Sequence, residues 1–203
     1  MGNRGGINTR TLVLLALLTA VVAVLQMLGS FVRIGPFQFA LVLVPIVVGA
    51  AMCGTVAGGW LGAVFGAVVL LNGDAAAFLA ISVPATVALV MAKGICAGLA
   101  AGLAYRLFAS AKRPILAVLA AGVASPIANT GIFLLGCWAF FMPTIAEWGK
   151  AAGFENAGAY MVVGLVGINF VVEFAVNVVL SSAIFRIIKI GERTFGTANQ
   201  GKM

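Results

Sequence analysis

The feature that most constrains this chain is a recurrence of apolar runs, each about as long as a bilayer is thick. A helix needs about 20 apolar residues to cross the hydrocarbon layer, at 1.5 Å rise per residue. Six segments fit or approach this: roughly 11–30 (TLVLLALLTAVVAVLQMLGS), 37–53, 55–71, 77–107, 114–142 and 160–190. Only 8% of the 203 residues are charged and 63% are hydrophobic, where a soluble domain carries about a quarter charged. In lipid the backbone must satisfy its own hydrogen bonds, so such spans are helical. The expected fold is an all-α integral membrane protein, one domain over residues 1–203 with six transmembrane helices. Pro45 predicts a kink in the second span. The fourth is too long for one straight crossing, so its start is expected as an ordered loop that enters the helix near Pro84. Ser125-Pro126 is expected to break the fifth. The first run lacks a convincing cleavage site and is read as a retained span rather than a signal peptide.

The charges mark the topology. Arg4 and Arg10 precede the first span. Arg106, Lys112 and Arg113 lie between the fourth and fifth, and Arg186, Lys189, Arg193 and Lys202 follow the sixth. Only Arg33 and Lys150 fall on the opposite side. Positive-inside bias therefore places both termini in the cytoplasm, which an even number of spans permits. The net charge of +7 is thus a topology signal at a lipid bilayer and not a nucleic-acid surface. The outer side also holds Asp74, Glu147 and Glu155, and the fifth-to-sixth link, about 143–159, is expected as its longest loop, the kind of segment that covers a site.

Inside these runs a few groups are costly enough to need a reason. Asn169, Glu173 and Asn177 are spaced i, i+4, i+8 and form one polar line on a helix. A mid-span carboxylate costs about 2.5 kcal/mol or more on insertion scales. Its expected partner is Lys93. Lys93 precedes Arg106 by 13 residues, as Glu173 precedes Arg186, so both sit about 20 Å from the inner surface. Asn129 lies at a similar depth and Asn169 one turn further out. Two readings stand for this level: a buried ion pair with amides joining helices, or a polar pocket open to the outside. In the second, Lys93, Asn129, Asn169 and Glu173 would hold a small polar ligand in an apolar lining. Phe133, with Cys137 and Trp138 further out, would form an aromatic wall, although Trp138 also suits an interfacial anchor. Asn177 continues the polar line. Asn72-Gly73-Asp74 reads first as a turn, with Asn72 and Asp74 as secondary ligand candidates beside Arg33 and Trp148.

Other chemistry is excluded or unsupported. There is no His, the commonest general base and metal ligand. Cys53, Cys96 and Cys137 show no metal or redox spacing and read as packing residues. No P-loop is present. No catalytic residue, metal site or cofactor is assigned, and the chain is not expected to be an enzyme. Gly58, Gly62 and Gly66 make one flat helix face, and Ala16 and Ala20 another, suited to close helix approach.

The run FALVLVPIVVGAAMCGTVAGGWLGAVFGAVVLL resembles the second and third spans of the substrate-binding (S) components of energy-coupling factor (ECF) vitamin transporters. Ala16-x-x-x-Ala20 after basic residues, the length near 200, six spans and internal termini match as well, so the resemblance covers nearly the whole chain. It implies a protein of the bacterial cytoplasmic membrane that binds a vitamin or related micronutrient on the outside. Such a protein works with a membrane coupling subunit and two cytoplasmic ATPases. Ala16 and Ala20 would be the docking face for the coupling subunit, and spans four to six with the outer links would hold the ligand. The pocket residues match the signature of no single vitamin. The alternative is an autonomous ion- or proton-coupled permease in which Lys93 and Glu173 exchange protons.

Overall fold

The computed structural model describes residues 9–31, 33–34, 37–38, 41–110 and 113–196. It is helical apart from one two-residue antiparallel pair, β1 (Arg33–Ile34) and β2 (Phe37–Gln38). The helices are α1 (Thr9–Phe31), α2 (Leu43–Cys53), α3 (Thr55–Leu71), the single turn α4 (Ala76–Leu79), α5 (Val83–Ser110) and α6 (Pro114–Gly136). After them come α7 (Met142–Ala151), the short α8 (Ala157–Ala159) and α9 (Ile168–Gly196). Wider π-type turns join α6 to α7 over Cys137–Phe141, and α8 to α9 over Tyr160–Gly167. Among the described residues, four stretches are long and apolar enough to cross a bilayer: Thr9–Gly29, Val83–Ser110, Pro114–Ala151 and Asn169–Ile190. Leu43–Cys53, Thr55–Leu71 and Ala157–Gly167 are shorter apolar helices.

The second expected span begins late. α2 has 11 residues, about 16 Å of helix, roughly half the hydrocarbon thickness. Pro45 lies in its first turn, where a missing N–H costs nothing, so it helps start the helix and does not kink it. α2 makes up for its length by centrality. It packs against α1, α3, α5, α6 and α9 and buries seven residues from Leu43 to Ala50. Gly54, at φ 99°, turns the chain from α2 straight into α3, a conformation that L side chains rarely adopt.

α3 and α5 approach backbone to backbone, and glycine is the reason. They run antiparallel with Gly58 facing Gly98, Gly62 facing Gly94 and Gly66 facing Val90. A Cβ on Gly66 would stand 2.9 Å from the Val90 carbonyl oxygen, and Cβ atoms at Gly62, Gly94 or Gly98 would overlap the facing carbonyl. Where lipid gives helices no hydrophobic drive to associate, such backbone contact supplies the attraction through dispersion and Cα–H···O contacts. The flat face read from Gly58, Gly62 and Gly66 therefore has a matching face on α5.

The start of the fourth segment is a turn and α4, and α5 begins beside Pro84, as expected. Ser125-Pro126 does not break α6. Both residues are buried within a continuous helix, since a transmembrane helix tolerates proline where neighbouring helices surround it. The irregularity falls instead at the π turn Cys137–Phe141. The link after it is largely helical too, with α7 occupying Met142–Ala151, so the expected long outer loop shrinks to a short turn around Gly153.

The core divides in two. The larger part includes Ile46, Val47, Ala97, Ala101, Val118, Ala121, Ile184 and Ile188 toward Arg106 and Arg186, and extends to Phe65, Val69, Ala75 and Val90 at the cavity. A smaller cluster of Leu89, Cys137, Phe141 and Ile145 caps the other end.

Candidate functional site

Between the two cores lies a cavity of about 270 Å³. It sits where α1 and α3 end and where α5 and α9 begin. α5 contributes Lys93, α6 contributes Asn129 and Phe133, and α9 contributes Asn169 and Glu173. All four residues singled out at mid-membrane depth thus line one space. The reason is register: α5 and α9 run one way through the bundle and α6 the other, so the first halves of α5 and α9 meet the second half of α6.

Lys93 and Glu173 face this cavity without a direct ion pair between them. The ammonium instead stands 5.6 Å from the centre of the Phe65 ring and 5.3 Å from that of Phe133, within cation–π range. The Asn129 amide lies beside the Glu173 carboxylate. An amide turned toward a carboxylate presents its NH₂, which fixes Oδ1 on the other side. Asn129 is 6% exposed, and its Oδ1 and that of Asn169 are buried without a hydrogen-bond partner. A buried unpaired carbonyl costs about 1–3 kcal/mol, so the wall holds unmet hydrogen-bonding capacity.

The secondary candidates divide. Asp74 and Phe133 line the cavity. Asp74 accepts a 2.8 Å hydrogen bond from Gln26 Nε2. Asn72 does not line it: its Oδ1 accepts from the Asp74 backbone N–H at 3.2 Å, with Gly73 at φ 85°, which makes the turn read from the sequence. Trp148 stands behind the wall, edge-on to Phe78 at 5.5 Å. Asn177 is fully buried below the cavity, where its Nδ2 donates to the Glu173 carbonyl at 2.8 Å. The side chain of Arg33 lies outside the described residues. Trp138 is two-thirds exposed and forms no wall.

Several lining residues escaped the sequence reading: Gln26, Phe65, Phe78, Thr86, Thr130 and Phe170. Gln26 had a signal, as an amide near the outer end of the first apolar run, and it is buried. The phenylalanines had none, because an aromatic facing a cavity and one facing lipid look alike in sequence. Phe78 joins the cavity to the cap, meeting Phe133 at 5.7 Å and Phe141 at 5.1 Å, both edge-on. Among the described residues no group of three or more His, Cys, Asp or Glu is placed to hold a metal ion.

Ala16 and Ala20 lie far from the cavity on an exposed face of α1. Leu12, Val13, Leu17, Val21 and Val24 share that exposure, so the two alanines do not serve packing within the chain.

Residues 10–188 match the family described as "ECF transporter, substrate-specific component". The chain belongs to this family. Among solved structures its fold is similar to that of ThiT from Listeria monocytogenes, with a TM-score of 0.61. The two are 19% identical, and the similarity covers 89% of this chain and 96% of that one. At that identity the likeness speaks to fold. No curated protein matches the sequence. As a substrate-specific component the chain is a multi-pass membrane protein.

Proposed function

We propose that this protein is the capture subunit of an ECF importer. It binds a vitamin or related micronutrient in the cavity between α5, α6 and α9 and hands it to a coupling subunit driven by two separate ATPases. The observation that carries this reading is the cavity itself. Lys93, Asn129, Asn169 and Glu173 converge at one end of the bundle, with two amide oxygens unsatisfied, in a chain of the substrate-specific family. Convergent polar groups in an aromatic lining suit a small polar ligand. Between the cavity and the ends at Arg106 and Arg186 the bundle is packed with buried apolar side chains such as Ala97, Ala101, Ile184 and Ile188, which suits a binder better than a channel. In this reading the chain spans the bacterial cytoplasmic membrane six times with both termini inside. The short α2 and α3 make two of the crossings. The cavity then opens outward, opposite the basic ends at Arg10, Arg106 and Arg186.

Ala16 and Ala20 form the docking face for the coupling subunit. Their exposure supports this, since a small apolar face allows close contact that is reversible and buries no polar group. The protein carries out no chemistry of its own. Reconstitution in liposomes tests the division of labour. The protein alone should bind ligand without accumulating it, and accumulation should need the coupling subunit, both ATPases and ATP. Uptake by the protein alone, driven by an ion or proton gradient, would establish the permease instead.

A further inference from the structure

Lys93 is the only cation among the described residues lining the cavity. Its ammonium carries three N–H donors. The Phe65 and Phe133 rings steady the charge from 5.6 and 5.3 Å but leave those donors without an acceptor. Among the described residues none hydrogen-bonds to it. Neither carboxylate in the wall bonds it: Asp74 accepts from Gln26, and Glu173 shares the cavity with Lys93 without forming an ion pair, the Asn129 amide lying beside it. The cavity is therefore short of an acceptor at Lys93. At Glu173 and at the unpaired carbonyls of Asn129 and Asn169 it is short of donors.

We infer that the ligand is a small monocarboxylate that also carries N–H or O–H donors. Its carboxylate is received by Lys93, and its donors by Glu173, Asn129 and Asn169. This rests on the capture reading above and narrows it to one chemical class. A monoanion suits the site better than a phosphate, because a second negative charge would face Glu173 and Asp74 with no second cation to balance it. A cavity of about 270 Å³ lies near the lower end of ligand pockets, about 300–1,000 Å³, so the molecule is compact. A purely cationic ligand would have to share the space with Lys93.

The test uses matched probes that differ only at the acid: nicotinate and nicotinamide, biotin and its amide, pantothenate and pantothenol. Thiamine is included as a cation and riboflavin as a neutral ring. Affinity is measured by calorimetry on the purified protein in detergent. At least one acid should bind, and its neutral counterpart should bind about 10- to 100-fold more weakly, the loss of one charge-assisted hydrogen bond. Lys93→Gln should weaken the acid by a similar factor and its neutral counterpart, which keeps only an uncharged acceptor, clearly less, so the two losses are not additive. If Lys93→Gln does not fold, the acid-against-neutral comparison on the natural chain decides alone. Equal affinity for an acid and its neutral counterpart overturns the inference. So does binding of thiamine or riboflavin with no acid binding, a result that leaves the capture reading standing. Failure of every probe counts against both.

Discussion

Gly62 of α3 and Gly94 of α5 face each other so closely that a Cβ on either would overlap the carbonyl of the other. Lys93 is the next residue to this contact, so the pair that holds α3 to α5 also fixes where the only described cation of the cavity stands. Gly62→Ala or Gly94→Ala must push the helices apart, and overpacking of this kind costs about 1–3 kcal/mol. Thermal unfolding in detergent should show a lower midpoint for both variants. Gly131→Ala is the control: nothing lies within 4 Å of its added Cβ, and its midpoint should hold or rise slightly, since alanine favours the helix.

A second expectation separates structural from ligand-facing amides. Asn177 is fully buried, bonded through Nδ2 to its own helix, with Oδ1 unpaired. Replacing it by Leu removes an unsatisfied acceptor, so stability should change by less than about 1 kcal/mol or improve, with ligand affinity kept. Asn177→Asp would bury an uncompensated carboxylate and should sharply reduce the yield of folded protein. A binding loss in Asn177→Leu at unchanged stability would place this residue at the ligand.

Phe78 ties the cavity wall to the cap through three edge-on contacts, with Phe133, Phe141 and Trp148. Each such contact is worth about 0.5–1.5 kcal/mol. Phe78→Leu keeps an apolar group but loses this geometry. It should speed ligand release about tenfold or more while the association rate changes little, as is usual for variants of one site. Trp148→Ala acts only through Phe78 and should give a smaller change in the same direction. Stopped-flow or surface-binding kinetics can read both.

Docking and binding should come apart. Ala16→Trp or Ala20→Trp adds bulk to an exposed face of α1 with no contact to the cavity. Uptake in cells should be abolished, while calorimetry on the isolated protein gives unchanged affinity. Loss of both together would mean that this face supports the fold.

How much of this was legible in the sequence depended on the cost of the group. Lys93, Glu173, Asn129 and Asn169 stood out because a polar side chain in an apolar run is expensive, and depth counted from the basic ends put the first three near one level with Asn169 one turn further out. The ion pair expected between Lys93 and Glu173 did not form, because two aromatic rings offer Lys93 another environment. Phe133 was read as a wall residue from its place on the fifth span, but hydropathy cannot register Phe65 as lining, since it looks like any lipid-facing residue. The glycine face on α3 was visible but not its partner on α5, because spacing shows a flat face without showing what lies against it. The length of α2 was misjudged since apolar composition continues before Leu43, where the helix does not. Pro126 was overrated as a breaker, because in a bundle the surroundings, and not the proline alone, decide whether a helix bends.

The most direct test of the capture reading is mass spectrometry of the protein purified in mild detergent from cells grown in rich medium, beside its Glu173→Ala and Lys93→Ala variants. The account predicts one small organic molecule per chain in the natural protein, lost or strongly depleted in both variants while they remain folded. A molecule retained at full stoichiometry by both variants would contradict it, and would move the binding site away from the space between α5, α6 and α9.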